Sequence, residues 1–385
     1  VESTLGITDQ VDIACSDAPI GFILGTTPNT TYDITTITPE SGLTVSAGNP
    51  VTGVGFLADE IANDAWTNTT TGPLTVTYTI EPVSLNGCSG QPFDVVVTIN
   101  PEPVVSNQTD SICSDVANGV ILGDDITGPA VVTYNIMDIN IPVMPLPIVA
   151  SAGNPIEGVN FDANEIANDA WTNTNTVPVN IIYEVVPVSA QGCAGNSFTV
   201  TLTINPEPVV VDQVRTICSD VANLVILGDD ANGPAAVSYN IIDINIPVMP
   251  VSIIASAGNP VIQDGVTSNE IADDAWTNVN TGPINIVYEV VPVSAQGCEG
   301  NPFTVTITVE SALGIGPQTV PACSDAPIGF VLGTAPNTTY NITAINQNGL
   351  TPSAGNPVIG NGFSANEIAD DAWTNTTALP VTVVY

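Results

Sequence analysis

Apolar and polar residues alternate in short runs along this chain. After Trp66, the residues Leu74, Val76, Tyr78 and Ile80 alternate with Thr75, Thr77 and Thr79, and Phe93, Val95, Val97 and Ile99 follow the same rhythm. A period of two places every second side chain on one face of a strand. Asn86 and Gly87 between these runs predict a hairpin turn. Ile20, Phe22 and Leu24 predict an earlier strand, and Tyr32 with Ile34 another. One segment breaks the rhythm. Ser364 and Glu367 have the spacing of a helix capping box, repeated by Asp162 with Glu165 and Thr267 with Glu270, although the first copy has Leu57 there. Behind it Ile368, Ala369, Ala372 and Trp373 share a stripe, with Asp370 and Asp371 opposite, which predicts one or two helical turns.

The whole pattern repeats. Ala-Gly-Asn-Pro begins at Ala47, Ala152, Ala257 and Ala354, and Cys-Ser-Asp begins at Cys15, Cys113, Cys218 and Cys323. Trp66, Trp171, Trp276 and Trp373 mark the same place in each copy, and Cys88, Cys193 and Cys298 follow the first three. The chain divides into repeats over 8–102, 103–207, 208–312 and 313–385. Residues 1–7 read as the end of a preceding repeat, because Val1, Glu2 and Ser3 match Val309, Glu310 and Ser311. The fourth copy stops before its second cysteine, so both ends are expected to be internal to a longer array. Repeats one and four share Cys-Ser-Asp-Ala-Pro-Ile-Gly-Phe. Repeats two and three share Cys-Ser-Asp-Val-Ala-Asn and an insert at 139–145 and 244–250, giving an A-B-B-A order. Pro-Glu-Pro at 101–103 and 206–208 reads as a stiff linker. Short alternating strands in units of this size predict an all-β fold of tandem immunoglobulin-like β-sandwich modules with one short helical turn each.

Charge narrows the partners. The 385 residues include 1 Lys+Arg, 39 Asp+Glu and no His, a net charge of −38. A surface whose one cation is Arg215 cannot neutralise phosphates, so nucleic acid is excluded, and anionic lipid repels it. No apolar run is long enough to insert in a membrane. Like-charged modules repel one another and favour an extended array.

Seven cysteines at repeating positions without histidine point to disulfides in an oxidising, extracellular compartment rather than to zinc. Two pairings fit the periodicity. Within repeats, Cys15–Cys88, Cys113–Cys193 and Cys218–Cys298 pair, leaving Cys323. Across linkers, Cys88–Cys113, Cys193–Cys218 and Cys298–Cys323 pair, leaving Cys15. The first staples each module, contributing about 4 kcal/mol in the loop-entropy model, and is the favoured reading.

Acidic clusters recur as Asp59, Glu60 and Asp64; Glu165 and Asp169; Glu270, Asp273 and Asp274; and Glu367, Asp370 and Asp371. Hard oxygen donors in this pattern are candidates for calcium, the one cofactor considered; a solvated face at a helix start is the alternative. An interdomain version uses Asp17, Asp115, Asp220, Asp325 and the pairs Asp124 with Asp125 and Asp229 with Asp230. Paired carboxylates hydrolyse glycosides in some enzymes. With no histidine or lysine to act as base or nucleophile, and the same acids repeated four times, the chain is read as non-enzymatic. The four tryptophans are sugar platforms or, by the stronger reading, core anchors. Asn-x-Thr triplets at Asn29, Asn68, Asn107, Asn337, Asn341 and Asn375 read as polar surface.

The stretch from Asn68 through Thr69, Thr70, Thr71, Gly72 and Pro73 to Tyr78, then Pro82-Val83-Ser84, Gly87-Cys88, Gly90 and Pro92-Phe93, resembles the PKD-like repeats of Bacteroidetes surface proteins. So do the Cys-Ser-Asp opening and the Asn-Pro-x-Pro exit. The resemblance covers nearly all of each repeat; the tryptophan and the acidic segment depart from the commonest version. It implies a cell-surface stalk of a large secreted protein, with type IX secretion and gliding adhesins among its relatives. The expected function is therefore a stalk or filament of an extracellular bacterial adhesin. Its partners are other copies of the repeat, surface glycans or other chains of the same protein. A multivalent carbohydrate-binding array and a self-assembling filament subunit are the alternatives.

Overall fold

A computed structural model describes residues 6–25, 28–123, 126–143, 148–228, 233–247, 253–280, 282–311, 314–333 and 338–385, with 126–127 by backbone alone. Val1 to Ser3, the two aspartate pairs at 124–125 and 229–230, and Asn337 lie outside them. The chain forms two compact units, Val1–Glu310 and Ser311–Tyr385. Every regular element described is a strand.

The first module has seven strands: β1 (Gln10–Cys15), β2 (Thr30–Pro39), β3 (Leu43–Ala47), β4 (Gly53–Phe56), β5 (Ala65–Asn68), β6 (Leu74–Ser84) and β7 (Phe93–Asn100). Five make one sheet in the order β1-β7-β6-β2-β4, and β3 with β5 makes a second. The alternation read from sequence is the burial pattern observed. Val76, Tyr78 and Ile80 on β6 and Phe93, Val95, Val97 and Ile99 on β7 are buried, and the intervening residues are partly exposed. Trp66, Ile61, Tyr32 and Leu24 belong to the same buried core. Each such fully buried side chain contributes roughly 1.5–3 kcal/mol of transfer free energy.

β1 was not evident in the alternation. It pairs with β7 in parallel, Gln10 opposite Val95 and Cys15 opposite Asn100. The same arrangement recurs twice. Gln108–Cys113 lies parallel to Phe198–Asn205, and Gln213–Cys218 lies parallel to Phe303–Glu310, each on the edge of a five-stranded sheet.

Two local expectations change. The expected short helix is a run of turns. The N–H groups of Glu60, Ala62 and Asp64 reach back three residues to Leu57, Asp59 and Ile61, at 3.3, 3.0 and 3.2 Å. The carbonyls of Ala58, Ala62 and Asp64 instead accept from Leu24, Gly21 and Ile20, at 2.8, 2.7 and 2.8 Å. A helix needs those carbonyls for its own i→i+4 bonds, so the cross-links replace it. For the same reason residues 20–24 join no strand ladder: the N–H groups of Ile20, Gly21 and Leu24 are spent on this turn segment. In the unit Ser311–Tyr385, Tyr340–Ile342 pairs with Gly360–Phe363 and Thr351–Ala354 with Ala372–Thr374, around buried Ile342, Leu350, Ile368 and Trp373.

Candidate functional site

Parallel pairing of β1 with β7 decides where the cysteines go. Cys88 follows the Gly87 turn, before β7 begins, whereas Cys15 lies beside Asn100, where β7 ends. The length of β7 separates them, about 26 Å at strand rise. A disulfide spans Cα–Cα distances of roughly 4.4–6.8 Å, so the pairing within a repeat is ruled out. The pairing across a linker fails as well, because Cys88 and Cys113 stand at opposite ends of successive modules. The bonds formed are Cys15–Cys193 and Cys113–Cys298, each with Cα–Cα 5.4 Å. The first cysteine of one module therefore joins the second cysteine of the next. Cys88, Cys218 and Cys323, also assigned to disulfides from sequence, are free and exposed.

The Cys-Ser-Asp triplet anchors this end of the module. Ser16 N–H donates to Asn100 O at 2.8 Å, and Asp17 N–H to Trp66 O at 2.9 Å. The Ser16 hydroxyl accepts from Asn68 N–H at 2.9 Å, and Thr67 Oγ1 donates to Asp17 Oδ1 at 2.6 Å. That hydroxyl holds the Asp17 carboxyl below its usual range. Asp17 sits at φ 61, a left-handed conformation that aspartate tolerates better than most residues. Asn68 Nδ2 donates to Ile99 O and Gly72 O, at 2.8 and 2.9 Å. The Asn-x-Thr triplet at Asn68 is thus a buried bracket between β5 and β7, as Asn173 and Asn278 are in the next modules. Its recurrence in Trp-Thr-Asn was the available signal.

The facing loop is cut to fit. A Cβ on Gly195 would lie 1.9 Å from Pro103 O, and one on Gly300 1.9 Å from Pro208 O. The second glycine of Gly-Cys-x-Gly is therefore required for the loop to touch the Pro-Glu-Pro linker. Cys193 and Cys298 are buried there. Burial, with Asp17 beside it, raises the Glu102 carboxyl above its usual range; Glu207 responds in the same way to burial and Asp115.

The acidic clusters divide by depth. Asp64, Asp169, Asp274 and Asp371 are buried. Asp64 Oδ2 accepts from Tyr78 Oη at 2.9 Å, Tyr78 Oη accepts from Trp66 Nε1 at 3.0 Å, and Asp64 Oδ1 accepts from Asn49 N–H at 3.3 Å. Gly48 of Ala-Gly-Asn-Pro lies flat on Asp64, where a Cβ would meet the Asp64 Cα at 2.6 Å. Two motifs far apart in sequence are thus halves of one bracket. Tyr183, Tyr288 and Tyr385 hold Asp169, Asp274 and Asp371 alike. Burial raises the Asp64 and Asp169 carboxyls and pushes Asp274 up to about 6. Asp59, Asp273 and Asp370 are exposed, and Glu60, Glu165, Glu270 and Glu367 half-buried. Glu270 and Asp273 line an open depression with Asn259 and Asn269. Among the described residues no three His, Cys, Asp or Glu side chains are grouped to hold a metal ion. All four tryptophans are buried, so none offers a platform for sugar.

No curated protein matches this sequence. Among solved structures, the chain is similar to Drosophila N-cadherin EC1-4 (13% identity, 78% of this chain and 73% of that one, TM-score 0.22). Protocadherin gamma B7 extracellular cadherin domains 1-4 give 14%, 93%, 93% and 0.27 in the same order. The titin I-band fragment I67-I69 gives 8%, 79%, 97% and 0.28. Superpositions this loose carry no functional argument. The PKD-like domain matches residues 24–103, 127–208 and 237–312, more than half of the chain. With its bracketing motifs and tandem β-sandwiches accounted for, the chain belongs to the PKD-like domain family, which it carries in three successive copies.

Proposed function

We propose that this chain is a non-enzymatic, load-bearing repeat region of an extracellular stalk or filament, part of a bacterial cell-surface adhesin. The observation that carries this reading is the stitching of successive modules by Cys15–Cys193 and Cys113–Cys298. Such bonds persist in oxidising compartments, and they tie each module covalently to the next. The acidic surface, with Arg215 as its one basic residue, keeps neighbouring strands apart and soluble. The resemblance to Bacteroidetes surface repeats extends the proposal to type IX secretion and to a part in gliding.

Labelling intact producing cells with an antibody against the repeats tests the location; signal only after lysis would refute it. A glycan array probed with the oxidised protein tests the role. A stalk binds nothing there, and specific binding would transfer the function to a carbohydrate-binding array. Electron microscopy distinguishes single strands from self-assembled bundles.

A further inference from the structure

The two disulfides have a topological consequence. Cys15 and Cys193 form one covalent node, and Cys113 and Cys298 form another. The backbone between Cys15 and Cys298 consists of three segments: Cys15 to Cys113, Cys113 to Cys193, and Cys193 to Cys298. Each begins at one node and ends at the other. The chain before Cys15 and the chain after Cys298 are therefore joined by three covalent paths in parallel.

We propose that this interleaved pairing makes the three modules a triple-path covalent strap, which limits extension under tension and keeps the chain continuous after its backbone is cut. Pairing within repeats would give one path with loops hanging from it, and a cut in a linker would sever it. Here a cut in any one segment, or one in each of two segments, leaves the flanks connected. Extension is limited by the shortest path, about 80 residues, or about 280 Å at full stretch. Without the disulfides the same region pays out about 280 residues, or about 1000 Å. Bonds within modules would not give this behaviour at the seams, where Pro103 and Pro208 meet Gly195 and Gly300. The strap deepens the stalk reading, which supplies the source of tension; the connectivity itself is measured without reference to that reading.

The test uses the full 385-residue chain with every cysteine retained, and the exposed thiols of Cys88, Cys218 and Cys323 are alkylated before denaturation so that they do not exchange on the gel. A recognition sequence for a site-specific protease is inserted after Ser106, which is exposed between the modules, or after Val143, an exposed loop residue, or at both places. After cleavage, every variant should run at full mass on a denaturing gel without reductant and fall into fragments with it. Fragments appearing without reductant after the Ser106 cut would establish pairing within repeats. Fragments after the Val143 cut alone would establish pairing across linkers. Either result overturns the proposal. Single-molecule stretching of the chain without inserted sites gives an independent readout. Reductant should lengthen the final contour by about 700 Å, a roughly 3.5-fold gain for the region between the nodes, and an unchanged contour would also overturn it.

Discussion

Gly195→Ala is the most incisive single perturbation of the seam. The added Cβ would lie 1.9 Å from Pro103 O, a backbone atom of a buried proline that has no rotamer with which to yield. Carbon and oxygen need a little over 3 Å, so the loop must retreat by more than 1 Å. Overpacking of this kind costs about 1–3 kcal/mol. The consequence for the disulfide is sharper. Cys193 lies two residues away, and its Cα is 5.4 Å from that of Cys15. A retreat of about 1.4 Å takes the pair to the outer limit of disulfide geometry, about 6.8 Å. The expected result is a population with Cys15 and Cys193 reduced, read by alkylation and mass spectrometry after refolding in a glutathione buffer, with Cys113–Cys298 still formed. Gly300→Ala should reverse the pattern, since its Cβ would lie 1.9 Å from Pro208 O. Gly72→Ala is the control, with open space around its Cβ. If Gly195→Ala closes Cys15–Cys193 at the wild-type rate and unfolds at the wild-type temperature, the seam does not depend on this contact and the reasoning fails.

Three further outcomes are expected. Asp274 titrates at about 6 in the fold, against roughly 3.9 unfolded. The folded state therefore holds the proton more tightly, and the associated stability is full below about pH 4 and lost as pH rises through 6. The loss is roughly 2–3 kcal/mol for this group, with Asp64 and Asp169 shifted in the same direction; Asp274→Asn should flatten the urea-midpoint profile over that window. Tyr78→Phe strips Asp64 and Trp66 of their shared partner and should cost about 1–3 kcal/mol in urea unfolding of the first module, whereas an unchanged midpoint would deny the bracket its role. Reduction should lower the denaturation midpoint of Val1–Glu310, because each disulfide closes a loop of more than 170 residues, worth about 5 kcal/mol in the loop-entropy model.

Much of a single module was legible in the sequence by itself. The alternation in β6 and β7, the turn at Gly87, the burial of the tryptophans and the tandem arrangement all follow from local periodicity and from repetition of whole segments. Periodicity reports which face of a strand is buried, so it identifies core and turn residues directly. The cysteines show where this information ends. Their spacing was compatible with two pairings, and the fold adopted neither, because the choice rests on the edge strand β1. Its exposed Val11 and Ile13 carry little of the core pattern, and its parallel pairing with β7 is a long-range contact. That one pairing moves Cys15 to the opposite end of the module from Cys88 and brings it to Cys193. The turn segment before Trp66 gives the same lesson on a smaller scale. Its helical spacing was real, but the N–H groups of Ile20, Gly21 and Leu24 took the carbonyls that a helix would have used. Local sequence determines which faces are buried; only the tertiary structure decides which distant groups satisfy one another, because both cysteine bonding and backbone hydrogen bonding go to the partner that the fold brings within reach.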